Sequence, residues 1–189
     1  MKLVFGFVHG DGHNRIDSNP FEEITEAADR ACALVVAAIC EKRIEQALRG
    51  VLRDDPDLMN MLFQPDGPLG AFKPKTALAY AADLISPEAF HDLKIIAGIR
   101  NDFAHKFTVT KFDEHSVAGR CAKLKLPELH YGDIEDASDG HKQIRQGGVA
   151  EGLKDPRSRY VAANMLISNN ITLNLQYPRG HEFNRPPYI

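Results

Sequence analysis

Cysteine is scarce in this chain. Cys32, Cys40 and Cys121 are an odd set, which excludes a disulfide framework, and none of them has the paired spacing of a structural zinc site. Cys32 and Cys40 sit inside an apolar helical pattern, so reduced, buried thiols and a cytosolic compartment are expected. The apolar run near the start, Leu3 to Val8, is six residues long, too short for a signal-peptide core or a membrane span. There is no excess of positive charge either. A net charge of −3 and a pI near 6.2 suit a protein that does not bind nucleic acid by phosphate neutralisation alone. The balance is uneven: residues 141–189 hold 7 Lys/Arg against 3 Asp/Glu, and residues 1–140 hold 16 against 23. No convincing helix-turn-helix is present, and no glycine run has the spacing of a nucleotide fingerprint.

What is there suffices for one ordinary globular domain: 189 residues with 43% apolar content can bury a core without staples. The pattern divides into an N-terminal extension over 1–19, a helical bundle over 20–177 and a polar, proline-containing tail over 178–189. In the extension, Leu3 to Val8 reads as a short strand or as a segment laid across the bundle. His9, Asp11 and His13 follow, spaced by glycines. A solvated turn is the better reading than a metal site, because no supporting partners are visible.

Asn19-Pro20 with Glu22 makes a helix start. Ile24, Ala28, Ala31, Leu34, Val35, Ala38 and Ile39 then define one apolar face, continued by Ile44, Leu48 and Leu52. Glu23, Glu26, Arg30, Lys42, Arg43 and Glu45 mark the opposite, solvated face, and the helix ends between Gly50 and Arg53. Asp54 to Asp57 is a turn before a short helix, Leu58 to Phe63. The loop Gly67-Pro68-Leu69-Gly70 has two readings: a phosphate cradle helped by Lys73 and Lys75, or a rigid turn seating Leu69 and Phe72. The second is preferred. Thr76 to Ile85 is apolar round most of its circumference and is expected to be central.

The stretch that does not read as packing is Ile99-Arg100-Asn101-Asp102-Phe103-Ala104-His105. It ends a helix opened by Ser86-Pro87, whose Phe90, Leu93, Ile96, Ile99 and Phe103 form one face. Gly98 within it costs about 1 kcal/mol relative to alanine, tolerable if another backbone approaches. Asn101 and His105 are one turn apart, and Arg100 can swing toward them. In the structural reading Arg100 pairs with a carboxylate of the first helix (Glu22, Glu26 or Glu41) and His105 caps its own helix. In the chemical reading His105 moves protons and Arg100 stabilises charge on a phosphodiester.

After His105, Asp113 to Leu124 suggests a short helix with Val117 and Cys121 inward. Pro127 to Lys154 reads as a long excursion with a minor helix around Ile144, and Asp155-Pro156 starts the last helix. Ile171 to Tyr177 alternates like a strand.

The Arg100–His105 arrangement is similar to the signature of the HEPN superfamily. The chain more closely resembles the mannitol operon repressor family. The residues that carry the likeness are Gly67-Pro68-Leu69-Gly70-Ala71-Phe72, Leu78-Ala79-Tyr80-Ala81, Ile99 to His105 (Phe103 included), and Asp155-Pro156-Arg157-Ser158-Arg159-Tyr160. Together they span most of the chain from about Phe21 to Tyr177. The resemblance implies an all-α, cytoplasmic helical bundle, helical through Tyr177, that needs no cofactor or metal and often dimerises. It implies repressor-type regulation of sugar-alcohol (mannitol) uptake or metabolism through a protein partner, such as a sugar phosphotransferase component, with specific DNA binding by the chain alone doubtful. The alternative it implies is a metal-independent RNA endonuclease using Arg100, Asn101 and His105. Lys94, Lys106 and Lys111, set against Asp92, Asp102 and Asp113, do not make an evident basic rim for RNA.

Overall fold

The computed structural model describes residues 28–131 and 153–176. Seven helices run through them: α1 (Asp29–Val51), α2 (Pro56–Phe63), α3 (Phe72–Ala81), α4 (Pro87–His105), α5 (His115–Cys121), α6 (Leu126–Tyr131) and α7 (Pro156–Gln176). There is no strand among the described residues, so the chain is all-α. No helix there is long and apolar enough to cross a membrane.

Local chemistry accounts for most boundaries. Asp55 accepts hydrogen bonds from the Asp57 and Leu58 amides (3.1 and 3.0 Å) and opens α2 with Pro56 in its first turn. Ser86 Oγ accepts from the Ala89 amide (3.1 Å) to open α4. Past α3 the chain turns through Asp83 at φ 55, the left-handed conformation that closes many helices; the Asp83 and Leu84 amides donate back to Tyr80 and Ala79 carbonyls. Gly67 and Gly70 are required by close approach. A Cβ at either would lie 2.4 Å from a backbone oxygen, of Met61 and Gln64 respectively.

Helix α1 begins later than Asn19-Pro20 suggests. Ala28 is extended (φ −57, ψ 147), so helix does not run unbroken into Asp29, and the Asn19-Pro20-Glu22 cap itself lies outside the described residues. The first half of the expected face is also rotated, while its continuation through Ile44 and Leu48 is buried as expected. Cys32, Ala33, Val36, Ala37, Cys40, Ile44, Ala47 and Leu48 are buried, whereas Ala28, Ala31, Val35 and Ala38 are exposed. The reason is that Ala31 to Cys40 is apolar at every position, so periodicity alone cannot choose a side. Of these, the row of Cys32, Ala33, Val36, Ala37 and Cys40 is the one that is buried.

The central helix is α7, not α3. Every residue from Tyr160 to Ser168 is buried, with α1, α4, α5 and α6 packed around it. Helix α3 buries only Lys75, Thr76 and Ala79 and leaves Ala77, Tyr80 and Ala81 exposed. Its alanines are apolar but small, and they gain little from burial compared with the Tyr, Val, Met, Leu and Ile of α7. Helix α7 also continues through Ile171 and Thr172 to Gln176, despite the strand-like alternation there. Its polar side chains bond back one turn, Asn170 Nδ2 to the Leu166 carbonyl and Thr172 Oγ1 to the Ser168 carbonyl (2.8 and 2.9 Å).

The stretch after Pro127 is not entirely an excursion, since Leu126–Tyr131 forms α6. The minor helix placed around Ile144 lies outside the described residues, as do the N-terminal extension and the tail.

Candidate functional site

The end of α4 and the turn after it are held by α1. Arg30, expected in solvent, reaches across to three backbone carbonyls: Phe103, Lys106 (3.2 Å) and Val109 (2.9 Å). It therefore supplies the cation that complements the helix C-terminus, a role the sequence suggested for His105. Beside it, Asp29 accepts from the Phe112 amide (2.9 Å) and pairs with Arg157 of α7 (2.8 Å). Three segments are thus tied at the first turn of α1. Nothing local in the sequence announces these two residues beyond their position at the start of a long apolar run.

With its helix end already satisfied, His105 is exposed and makes no side-chain hydrogen bond among the described residues. Arg100 is half-buried and donates from Nη1 to Asn101 Oδ1 (3.1 Å). This draws the guanidinium toward the face that Asn101 shares with His105. Arg100 has no carboxylate partner among the described residues. Glu41, one of its expected partners, is instead 3.0 Å from Lys75; Glu22 and Glu26 lie outside the described residues. The site is therefore a half-sheltered cation and amide, with a titratable imidazole one turn on.

The charges around it are sorted by the fold. Asp102 is claimed by Arg120 and by Lys106 (2.9 Å). Burial pushes its carboxyl up, but these two cations outweigh that and hold it below the usual carboxylate range. Arg120 crosses α4 at Gly98, where an added Cβ would stand 3.3 Å from its Nη1. The close neighbour at Gly98 is thus a guanidinium, not a backbone. Asp92 is fully buried rather than on a rim: it accepts from the Lys125 and Leu126 amides at 2.9 Å and opens α6. Lys94 sits over the Phe90 ring (4.6 Å). Of the six flanking charges, Lys111 and Asp113 remain exposed without a side-chain partner among the described residues.

The other singled-out residues lie in turns, packing contacts and ion pairs. The amides of Gly67, Leu69 and Gly70 donate to Gln64, Leu62 and Gly67 carbonyls at 2.8 to 2.9 Å, so none is left to cradle a phosphate. Pro68 is exposed at the tip, Leu69 is buried and Phe72 is half-buried, as the rigid-turn reading has it. Tyr80 stacks on Phe90 with centroids 4.3 Å apart, and Phe103 packs on Phe112 (4.9 Å). Lys75 is buried between Glu41 and Glu45, at 3.0 Å from each. Burial raises Glu45, yet the bonds from Lys75, Arg49 and Lys42 bring its carboxyl down to about 2. The thiols of Cys32, Cys40 and Cys121 are all buried, and burial pushes them up to about 11, 12 and 12, so they are inert. No group of three metal-ligating side chains exists among the described residues; His9, Asp11 and His13 lie outside them.

The fold and this surface define an all-α protein with a charged and amide cluster at one helix end. No family model matches the chain, and no curated protein does. Among solved structures it is similar to a chain of the MtlR–HPr complex from Escherichia coli. The TM-score is 0.60 at 15% identity, over 80% of this chain and 94% of that one. At that identity the likeness establishes a shared fold.

Proposed function

We propose that this chain is a repressor-type regulator that works through protein contacts, in sugar-alcohol uptake or metabolism, and not by catalysis. The observation that carries the reading is the fold likeness, over most of both chains, to MtlR in a complex with HPr. The Gly67 to Phe72 and Ile99 to His105 runs, which resemble the mannitol operon repressor family, support it independently. The reading carries with it a cytoplasmic location, a sugar phosphotransferase partner of the HPr kind, no cofactor or metal, and room for a homodimer. Titration calorimetry of the full chain with purified HPr tests it: saturable binding is expected, and no heat of binding at any reachable concentration counts against it.

One observation favours a second reading. Arg100 has no carboxylate partner among the described residues and His105 is exposed, as a metal-independent ribonuclease would need. Against it, Asp102 and Lys106 neutralise one another beside the cluster. We expect no His105-dependent cleavage of single-stranded RNA with chelator present. Cleavage by wild type that falls about 100-fold or more in His105→Ala would establish the enzyme and remove the regulatory reading.

A further inference from the structure

The buried run of α7 holds two polar side chains that apolar packing does not explain. Asn164 is fully buried and Ser168 is 4% exposed. Asn164 Nδ2 donates to the Tyr160 carbonyl (2.8 Å). Reversing the amide would set oxygen against oxygen, so Oδ1 is the end left over. Asn164 Oδ1 and Ser168 Oγ make no hydrogen bond among the described residues, and they are the two buried side-chain polar atoms there of which this is true. Asn170 and Thr172, further along the same helix, each bond back to a carbonyl one turn earlier. Residues 164 and 168 are themselves one turn apart and share a face. A buried polar atom without a partner costs roughly tenfold in the folding equilibrium, and native interiors rarely leave one bare.

Two contacts locate the α1 residues opposite. The Tyr160 hydroxyl meets the Ala33 carbonyl. The Ser168 hydroxyl stands near enough to Cys40 to ease its thiol downward against the effect of burial, though outside bonding geometry. Seven residues of α1 and eight of α7 thus advance together, by about 10–12 Å at the usual rise, and the two helices run side by side in one direction. Asn164 falls midway, level with Ala37, which shares a face with Ala33 and Cys40 and is buried with them. From this we infer that the seam between α1 and α7 encloses one structural water, which donates to Asn164 Oδ1, accepts from the Ser168 hydroxyl and lies against the Cys40 sulfur. Three partners are what a buried water usually has. Between helices packed about 8–10 Å apart, side chains as short as Ala37, Cys40 and Ser168 leave room for about one such molecule. A cation fits badly, since an amide oxygen and a hydroxyl among neutral side chains do not offset its loss of hydration.

Two measurements on the full chain test this. In crystals that resolve ordered solvent, we expect an isolated density peak within about 2.7–3.2 Å of both Asn164 Oδ1 and Ser168 Oγ. No peak there, or a Ser168 hydroxyl turned onto the Asn164 carbonyl, overturns the proposal. In solution, magnetic relaxation dispersion of the solvent counts long-lived internal waters. The double variant Asn164→Leu with Ser168→Ala removes both holders and should lose the amplitude of one water relative to wild type, with circular dichroism checking its fold. Equal amplitude in wild type and folded variant overturns the proposal. Should the variant not fold, the density in wild-type crystals decides alone.

Discussion

Two arginine-bearing motifs, at the end of α4 and at the start of α7, look alike in the sequence and behave oppositely in the fold. At the start of α7, Arg159 donates to the Cys121 and Leu124 carbonyls (3.1 and 2.9 Å) and pairs with Glu128 (3.0 Å). Arg157 pairs with Asp29, and Tyr160 is wholly buried, its hydroxyl donating to the Ala33 carbonyl (3.0 Å). Asp155 accepts from Ser158 through amide and hydroxyl, at 2.8 and 2.7 Å. At the end of α4, Arg100 has an amide neighbour and no described carboxylate, and His105 faces water. The first motif is consumed by holding helices together. The second keeps its donors available.

The contrast can be broken by substitution. Tyr160→Ala should cost about 4 kcal/mol in urea unfolding, through the cavity left beside Phe112 and the loss of the bond to α1. A loss below about 1 kcal/mol would show that α7 is not the centre of the core. Arg30→Ala comes next, at about 2 kcal/mol, because three carbonyls lose a charged donor. Hydrogen exchange should then report faster opening of the 106 to 112 turn while α7 stays protected, and uniform loss of protection would contradict the local role. The smallest effect should come from Arg100→Ala, within about 1 kcal/mol of wild type, since no described carboxylate is stranded. Destabilisation of 3 kcal/mol or more, as expected when a buried charge loses its partner, would place Glu22 or Glu26 against it and make the two motifs alike.

How far the sequence carried depends on whether a feature is local. The starts of α4 and α7 were legible because a capping side chain and a proline sit together, and the Gly67-Pro68-Leu69-Gly70 turn because tight turns need those residues; α2, placed at Leu58, begins two residues earlier, at Pro56 after the Asp55 cap. The apolar face of α1 was not, since ten successive apolar residues fit any face. Nor was the exchange of places between α3 and α7, which turns on side-chain volume and length and not on the apolar fraction. At the candidate site, the helix carrying Arg100, Asn101 and His105 and the face they share were legible. The grip of Arg30 on the helix end was not, because its partners lie more than 70 residues away and its own neighbourhood reads as solvated.

The bond from Tyr160 to Ala33 joins residues 127 apart, and this bears on how the protein is made. At about 5–20 residues per second, a ribosome takes roughly 6–25 seconds to travel from one to the other. Throughout that interval the Cys32, Val36, Cys40, Ile44 row of α1 has been synthesised and its main covering helix has not. Cysteines and aliphatic side chains wait for that cover on the nascent chain, a hazard for misassociation. For this fold, vulnerability during synthesis follows from putting the central helix last.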